Sequence, residues 1–266
     1  MTEQAALKIA FLGDRLIARR VLELMRSDAF RSRFDIACFV SGRDLLDAFK
    51  DLATPECVFL ENNARHNDAI RDAIEAHDIK ALISIQHNWV LGCEVLDAVG
   101  GRAFNLHNAK LPEYKGYNSI SHALLNGDPI FTSTLHWMAK EVDSGPVIFE
   151  EVTEVSTDDS AYSLYPKTVD RALHAVTKLL SALSEGAELP SRPMEQGVGK
   201  FYGRDDIKAH LDVTDVADPR DLRRIVQSVF FPPYNVAFKR VAGQRVYLLP
   251  EAGGTEVLET ASRLNR

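Results

Sequence analysis

Short apolar runs alternate with amphipathic segments along most of the chain. Residues 8–13 form an apolar run closed by a glycine, and the segment behind it repeats apolar residues at helical spacing from Leu16 to Met25. Such runs are typical of strands that are buried on both faces. Strands that alternate with helices form right-handed βαβ crossovers within one sheet. The alternation therefore predicts a Rossmann-like α/β fold, a mostly parallel sheet with helices on both faces.

The same pattern predicts the other elements of this sheet. Strands are predicted at 34–40, 57–60, 80–85, 102–107, 131–138 and 147–155. Helices are predicted at 45–52, 64–77 and 160–183.

The composition changes after residue 183. Residues 184–199 are rich in glycine, proline and polar residues, which is typical of a connector. The roughly 70 residues that follow are too few for a large second core. They contain a predicted helix at 218–229 and a hairpin whose strands, 236–241 and 244–249, meet at Ala242-Gly243. We therefore expect a Rossmann-like domain at 1–188 and a small α+β subdomain at 200–266.

Charge and composition exclude several classes of protein. The formal net charge of −7 argues against a long nucleic-acid footprint, which usually needs a basic face. No apolar run approaches the roughly 18 residues of a membrane span, and the N-terminus lacks a signal-peptide pattern. The three cysteines form no CxxC, so neither a disulfide framework nor a zinc site is predicted. We expect a cytoplasmic protein that binds no metal.

The first strand-to-helix turn argues against a dinucleotide cofactor. This turn, residues 12–18, contains only Gly13, whereas the pyrophosphate fingerprint needs three glycines. A ligand is still expected at the carboxyl ends of the strands, where open α/β sheets bind their ligands.

Two polar side chains end one of the predicted strands. Asn105 and His107 lie two residues apart, so both side chains point to the same face of the sheet. An amide donor beside an imidazole can polarise a carbonyl and stabilise an oxyanion. The alternative is that both residues cap the strand and bind the following loop.

Asp143 lies in an Asp-Ser-Gly turn and needs a partner to act in catalysis. Turn chemistry alone explains an aspartate at this position. A carboxylate beside His107 would orient the ring and raise its pKa, or would itself accept a proton from an attacking amine. Spacing alone does not bring these two residues together.

Three motifs in order resemble the signature of the folate-dependent formyltransferase family. They are Asn105-Leu-His107, Leu111-Pro-x-Tyr-Lys-Gly116 and Asp143-Ser-Gly145, and the resemblance covers most of residues 7–185. The family transfers a formyl group from 10-formyltetrahydrofolate to a primary amine. The resemblance implies that Asn105 and His107 polarise the formyl carbonyl, and that Asp143 keeps His107 charged or accepts the proton of the amine.

The resemblance also implies a folate site that needs no metal. It places the pterin against the loop at 85–91 and along 138–143. The residues implied are Gln86, Trp89, Val90, Leu91, Met138 and Val142. Packing under the loop is an equal alternative for Trp89 and Leu91, and we interpret His87 and His136 as structural or surface residues.

Within the family, the chain most resembles sugar N-formyltransferases, because it has a short tail, Trp137 and the run 230–234. These enzymes act on a nucleotide-linked amino sugar. Contacts with this substrate are expected from Lys110, Tyr114, Lys115, Phe230 and Tyr234. Docking of the tail is the alternative role for the aromatic residues. Asn108 and Lys110 depart from the family pattern, which puts the substrate contacts of this loop in doubt.

Three other functions stay open. A methionyl-tRNA formyltransferase is the main alternative, although such enzymes usually add a larger basic domain. A 10-formyltetrahydrofolate hydrolase and a catalytically silent folate- or nucleotide-binding module are the others. The free edge of the predicted hairpin also makes a homodimer possible.

Overall fold

The main sheet of the structure, a computed structural model, has seven strands. They are β1 (Leu7–Gly13), β2 (Phe34–Ser41), β3 (Ala53–Glu61), β4 (Ala81–Ile85), β5 (Ala103–His107), β7 (Ile130–Trp137) and β8 (Val147–Glu154), while β6 (Tyr114–Gly116) lies outside this sheet. The strand order is β3-β2-β1-β4-β5-β7-β8. The first five strands pair in parallel, and β7 runs antiparallel to β5. The predicted mostly parallel α/β fold is confirmed.

The structure describes residues 5–62, 66–195 and 197–252, and its contacts divide the chain into two units. The first unit comprises Met1–Leu111, Ser133–Glu151 and Arg171–Gln196. The second unit comprises Pro112–Thr132, Val152–Asp170 and Gly197–Arg266. The predicted domain ranges, and the start of the helix predicted at 64–77, include residues that lie outside the described part.

The helices are α1 (Arg15–Met25), α2 (Arg43–Phe49), α3 (Asn67–His77), α4 (Cys93–Ala98), α5 (Ser119–Asn126), α6 (Ala161–Glu185) and α7 (Pro219–Val229). The sequence pattern does not predict α4 and α5, because helices this short show too little periodicity to be identified. Within the described residues, no helix is both long and apolar enough to cross a bilayer.

The core of the first unit lies between the sheet and its helices. One buried cluster joins Leu12 of β1, Val40 of β2 and Leu82 of β4 to Ile74 of α3 and Val95 of α4. These strand residues alternate with side chains that face the other side of the sheet, as the pleat requires. The cluster fixes β1, β2 and β4 against α3 and α4, and the candidate site lies where β4 pairs with β5.

The second unit contains two small sheets. The strand β6 pairs in parallel with β9 (Lys200–Tyr202), and β10 (Phe238–Val241) pairs antiparallel with β11 (Gln244–Tyr247). The predicted hairpin is confirmed, and both residues of its turn, Ala242 and Gly243, have positive φ, as a two-residue hairpin turn needs. Whether its edge pairs with a second copy of the chain stays a prediction.

Candidate active site

Three neighbouring strands bring polar side chains together at the end of β5. Asn105 lies opposite Ser84 of β4 on one side and His136 of β7 on the other. Ser84 Oγ donates a hydrogen bond to Asn105 Oδ1 at 2.9 Å, and Asn105 Nδ2 lies 3.1 Å from His136 Nε2. The carboxamide of Asn105 is therefore held at both ends by side chains from the adjacent strands.

The carboxylate of Asp143 joins this group from the loop after β7. Asp143 is buried, and its Oδ1 lies 3.5 Å from Asn105 Nδ2, 3.7 Å from His107 Nδ1 and 3.8 Å from His136 Nε2. One carboxylate oxygen thus faces three side-chain nitrogens. The structure brings together Asn105, His107 and Asp143, the three residues that the sequence analysis proposed as catalytic.

The turn that carries Asp143 is tightly constrained. Asp143 has a φ of 52°, in the left-handed region that aspartate tolerates better than most residues. A Cβ atom on Gly145 would lie 1.9 Å from the carbonyl oxygen of Trp137, so only glycine fits there without a shift of the backbone. The Trp137 N–H donates to the Pro146 carbonyl at 2.9 Å, which closes the loop.

His136 is neutral in this arrangement. Burial lowers the pKa of His136 to about 4, and the nearby charge of Asp143 only partly opposes this effect. The Nδ1 atom lies 2.7 Å from the carbonyl oxygen of Trp137, which is a hydrogen-bond acceptor. His136, which is predicted to be a structural or surface residue, is buried and lies against Asn105 and Asp143, two of the three proposed catalytic residues.

One signal in the sequence does point to β7. The buried strand carries the polar residues Ser133 and Thr134 and, after Leu135, His136. Buried polar groups need hydrogen-bond partners. Ser133 Oγ donates to Asn108 Oδ1 at 2.5 Å, and Thr134 Oγ1 donates to the Ala109 carbonyl at 2.7 Å. These bonds tie the loop after β5 to β7 and account for the buried Asn108.

This convergence of an amide, an imidazole and a carboxylate can support acyl transfer. Amide and imidazole groups can stabilise negative charge that develops on a carbonyl oxygen, and a carboxylate can accept a proton. The His107 side chain retains 13 % exposure, so the ring is reachable from outside. Among the described residues, no group of three or more histidine, cysteine or acidic side chains is arranged to hold a metal ion.

The residues predicted for the folate site fall into two groups in the first unit. Leu91 is buried in the cluster that also holds Val95, and Met138 packs against the same cluster. The others carry more exposed side chains or strained backbone. Trp89, Val90 and Val142 are among the exposed large apolar residues, with Val90 at 64 % exposure, and Gln86 has a φ of 53°.

The residues predicted to bind substrate are also divided by burial. Lys110 is exposed and Lys115 half-buried, and Tyr234 is 72 % exposed. Tyr114 is buried, and its hydroxyl donates to Asp128 Oδ2 at 2.6 Å, so this side chain is already engaged in the second unit. Phe230 is 1 % exposed and contacts the ring of Tyr162, which favours a packing role. Substrate binding by these residues stays a prediction.

Among known proteins, the chain is similar to formyltransferases. The chain is 27 % identical over 181 residues to the GDP-perosamine N-formyltransferase of Brucella melitensis biotype 1, and the match spans 65 % of the length of each protein. The chain thus spans just under two thirds of that relative.

Solved structures of formyltransferases share the fold. A 4-N formyltransferase from Francisella tularensis superposes with a TM-score of 0.73 at 15 % identity, over 91 % of this chain and 96 % of that chain. An N-formyltransferase from Helicobacter canadensis, in complex with folinic acid and dTDP-3-aminofucose, gives a TM-score of 0.70 at 14 % identity, over 90 % and 86 % of the two chains.

The family model described as formyl transferase matches residues 14–180, which is more than half of the chain and includes the whole candidate site. The family that the three sequence motifs predict is therefore confirmed, and the chain belongs to the formyl transferase family.

Proposed function

We propose that the protein transfers a formyl group from 10-formyltetrahydrofolate to the primary amine of a nucleotide-linked amino sugar. One observation carries this proposal. In a member of the formyl transferase family, Asn105 Nδ2 and His107 Nδ1 both lie within 3.7 Å of Asp143 Oδ1. The donor supplies an activated formyl group, and tetrahydrofolate is the product that remains.

The three residues have distinct roles in the proposed reaction. Asn105 Nδ2 donates a hydrogen bond to the formyl oxygen, and the His107 imidazole stabilises the negative charge that this oxygen gains. The amine nitrogen forms a bond to the formyl carbon, and Asp143 accepts the proton that the amine then loses. The bond between the formyl carbon and the folate nitrogen breaks, and this nitrogen takes up one proton, so atoms and charges balance.

Exposed apolar side chains near the catalytic loop support a folate site. Trp89, Val90 and Val142 are exposed although they are apolar, and Leu91 and Met138 anchor the two loops that carry them in the same buried cluster. Flat aromatic ligands such as a pterin bind well to such surfaces, with backbone groups to satisfy their polar edge. The Helicobacter canadensis relative was solved with folinic acid.

The donor site has a direct test. We expect 5-formyltetrahydrofolate to raise the melting temperature of the protein by mass action, with no metal added and after exhaustive chelation. Trp89→Ala should weaken this shift, whereas Tyr247→Ala, which removes another exposed ring from the second unit, should leave it unchanged. Equal shifts in both variants would exclude Trp89 from the folate site, and a need for added zinc would contradict the metal-free proposal.

The acceptor is inferred from relatives and from charge. One curated relative is named for GDP-perosamine, and one solved relative contains dTDP-3-aminofucose. Holding a tRNA would require many neutralised phosphates, whereas a nucleotide diphosphate needs only one or two cations and a stacking surface. A formal net charge of −7 fits the smaller anion better.

A kinetic comparison tests the acceptor. We expect formylation of GDP-perosamine, dTDP-3-aminofucose or a related sugar nucleotide, and a specificity constant for methionyl-tRNA at least about 10²-fold lower. Each substrate should be measured at two salt concentrations, with Asp143→Asn as the inactive control. Efficient, salt-sensitive formylation of the tRNA, with no sugar nucleotide turned over, would contradict the proposal and establish the tRNA alternative.

A further inference from the structure

The hydrogen bonds of His136 fix which of its nitrogens carries a proton. The Trp137 carbonyl oxygen lies 2.7 Å from Nδ1 and accepts only, so Nδ1 carries the hydrogen. Burial lowers the pKa of His136 to about 4, so the ring is neutral near pH 7. In the neutral ring the other nitrogen, Nε2, carries no hydrogen and is an acceptor.

The protonation of His136 determines the orientation of the Asn105 carboxamide. An acceptor at Nε2, 3.1 Å away, requires the NH₂ group of Asn105 on that side. The Asn105 oxygen then faces Ser84 Oγ, which donates to it at 2.9 Å. One Nδ2 hydrogen is bound by His136, and the other is directed towards Asp143 Oδ1 across a longer gap of 3.5 Å.

We propose that His136 is a positioning residue, which uses the Trp137 carbonyl to hold the NH₂ group of Asn105 towards the reacting carbonyl. The second Nδ2 hydrogen is the one available to a substrate oxygen, because its contact with Asp143 is long and easily exchanged. Without the acceptor at position 136, the carboxamide can rotate by 180° and present its oxygen to the negative charge that develops. The catalytic part of this inference rests on the proposed formyl transfer, and the protonation of His136 does not.

The turn at 143–145 supports the same arrangement. The Trp137 carbonyl that accepts from His136 packs closely against Gly145. A Cβ atom added to Gly145 would lie only 1.9 Å from this carbonyl oxygen. The loop that supplies the Asp143 carboxylate therefore also keeps this carbonyl in place. The charged or titratable groups that face His136 are Asp143 and His107, and their effects on its pKa oppose each other.

Two substitutions separate positioning from packing. In His136→Gln, the side-chain amide reaches the position of Nε2 and can still bind Asn105. In His136→Asn, the amide reaches only the position of Nδ1, so it can bind the Trp137 carbonyl but not Asn105. Both variants remove the ring from the core, so a role in packing alone predicts equal losses or losses that follow the melting temperature.

The kinetic test uses GDP-perosamine and dTDP-3-aminofucose as acceptors. We expect His136→Asn to lower kcat by about 10²-fold, the scale for loss of an oxyanion donor, with KM for the acceptor within about threefold of wild type. His136→Gln should recover most of this loss, and its kcat should keep the pH dependence of wild type above pH 5, because His136 does not titrate there. Equal kcat values in the two variants would overturn the positioning role.

A spectroscopic test does not depend on activity. Long-range ¹H–¹⁵N spectra of the labelled protein distinguish the two neutral forms of each of its eight histidines. We expect the signal that disappears in His136→Gln to be a neutral ring protonated at Nδ1 at pH 6. A ring protonated at Nε2, or a charged ring, would overturn the inference. If wild type formylates no acceptor, the proposed function fails, and this spectrum still decides the protonation of His136.

Discussion

At the scale of single residues, the site depends on one carboxylate oxygen. Asp143 Oδ1 faces Asn105 Nδ2 at 3.5 Å and His107 Nδ1 at 3.7 Å. Asp143→Asn keeps the shape of the side chain but removes its charge and its capacity to accept a proton. We expect a loss of about 10²–10⁴ in kcat with a melting temperature close to wild type, measured by steady-state kinetics and thermal unfolding.

Glu141→Gln is the matched control for this change. Glu141 lies two residues earlier in the same loop, and its carboxylate is exposed. We expect near-wild-type turnover from this variant.

The double variant Asn105→Ala with Asp143→Asn should lose much less than the product of the single losses, since both residues act on one transition state. Near-native turnover in Asp143→Asn would contradict the proposed proton acceptor.

At the scale of elements, the turn after β7 couples the backbone to the site. Gly145→Ala would place a methyl group against the Trp137 carbonyl, so the turn must shift. We expect both turnover and melting temperature to fall, because a shift of the turn moves Asp143 and also the Trp137 carbonyl that accepts a hydrogen bond from His136. Ser144→Ala removes only a hydrogen bond to the Glu141 carbonyl, of 2.7 Å, and should cost about 1 kcal/mol or less in the free energy of unfolding.

The two turn variants are compared by kinetics and thermal unfolding under the same conditions. A Gly145→Ala protein with the turnover and melting temperature of Ser144→Ala would contradict the close approach of this turn to β7.

Strands could be predicted from the sequence where burial on both faces leaves an apolar run, as at β4. The predicted strand at 57–60 is too short, because the structure extends β3 back to Ala53 across Pro55. β3 is an edge strand, where the missing N–H of a proline costs little, and a single sequence does not identify the edge. Pairing of β6 with β9 depends on residues more than 80 positions apart and has no local signal.

The candidate site could be predicted only in part for the same reason. Asn105 and His107 share a face through the two-residue period of a strand, which the sequence contains. The contact of Asn105 with His136 depends on the antiparallel register of β5 and β7, and no local pattern specifies this register. No local pattern therefore predicts that His136 contacts Asn105, although a polar side chain in a buried strand indicates that it needs a hydrogen-bond partner.

At the scale of the whole molecule, three histidines make the fold sensitive to acid. Burial lowers the pKa values of His87, His122 and His136 to about 4 each. They lie after β4, in α5 and in β7. Among the described residues, His87 Nδ1 and His122 Nε2 have no hydrogen-bond partner, so protonation of these atoms would gain no internal acceptor.

These pKa values give the direction and the window of the pH dependence. In the unfolded chain the pKa of histidine is about 6.5, so between pH 6.5 and 4 the unfolded state binds more protons than the folded state. The free energy of unfolding therefore falls as the pH falls through this window, by up to about 1.4 kcal/mol per pH unit for each histidine. The effect fades above pH 6.5 and is nearly absent above about pH 7.5, where the unfolded histidines are also neutral.

Chemical denaturation between pH 8 and pH 4.5 measures this effect, and substitutions assign it. His122→Gln removes one titrating group and the stacking of His122 on Tyr202, whose ring centroids are 3.9 Å apart. We expect the variant to be less stable at pH 8 but to have a shallower slope below pH 6.5, because one fewer proton is taken up on unfolding. His174→Gln, at an exposed position of α6, is the matched control and should keep the wild-type slope. Identical slopes in His122→Gln and wild type would mean that His122 does not titrate on unfolding in this window, and the acid sensitivity would then have to come from other groups.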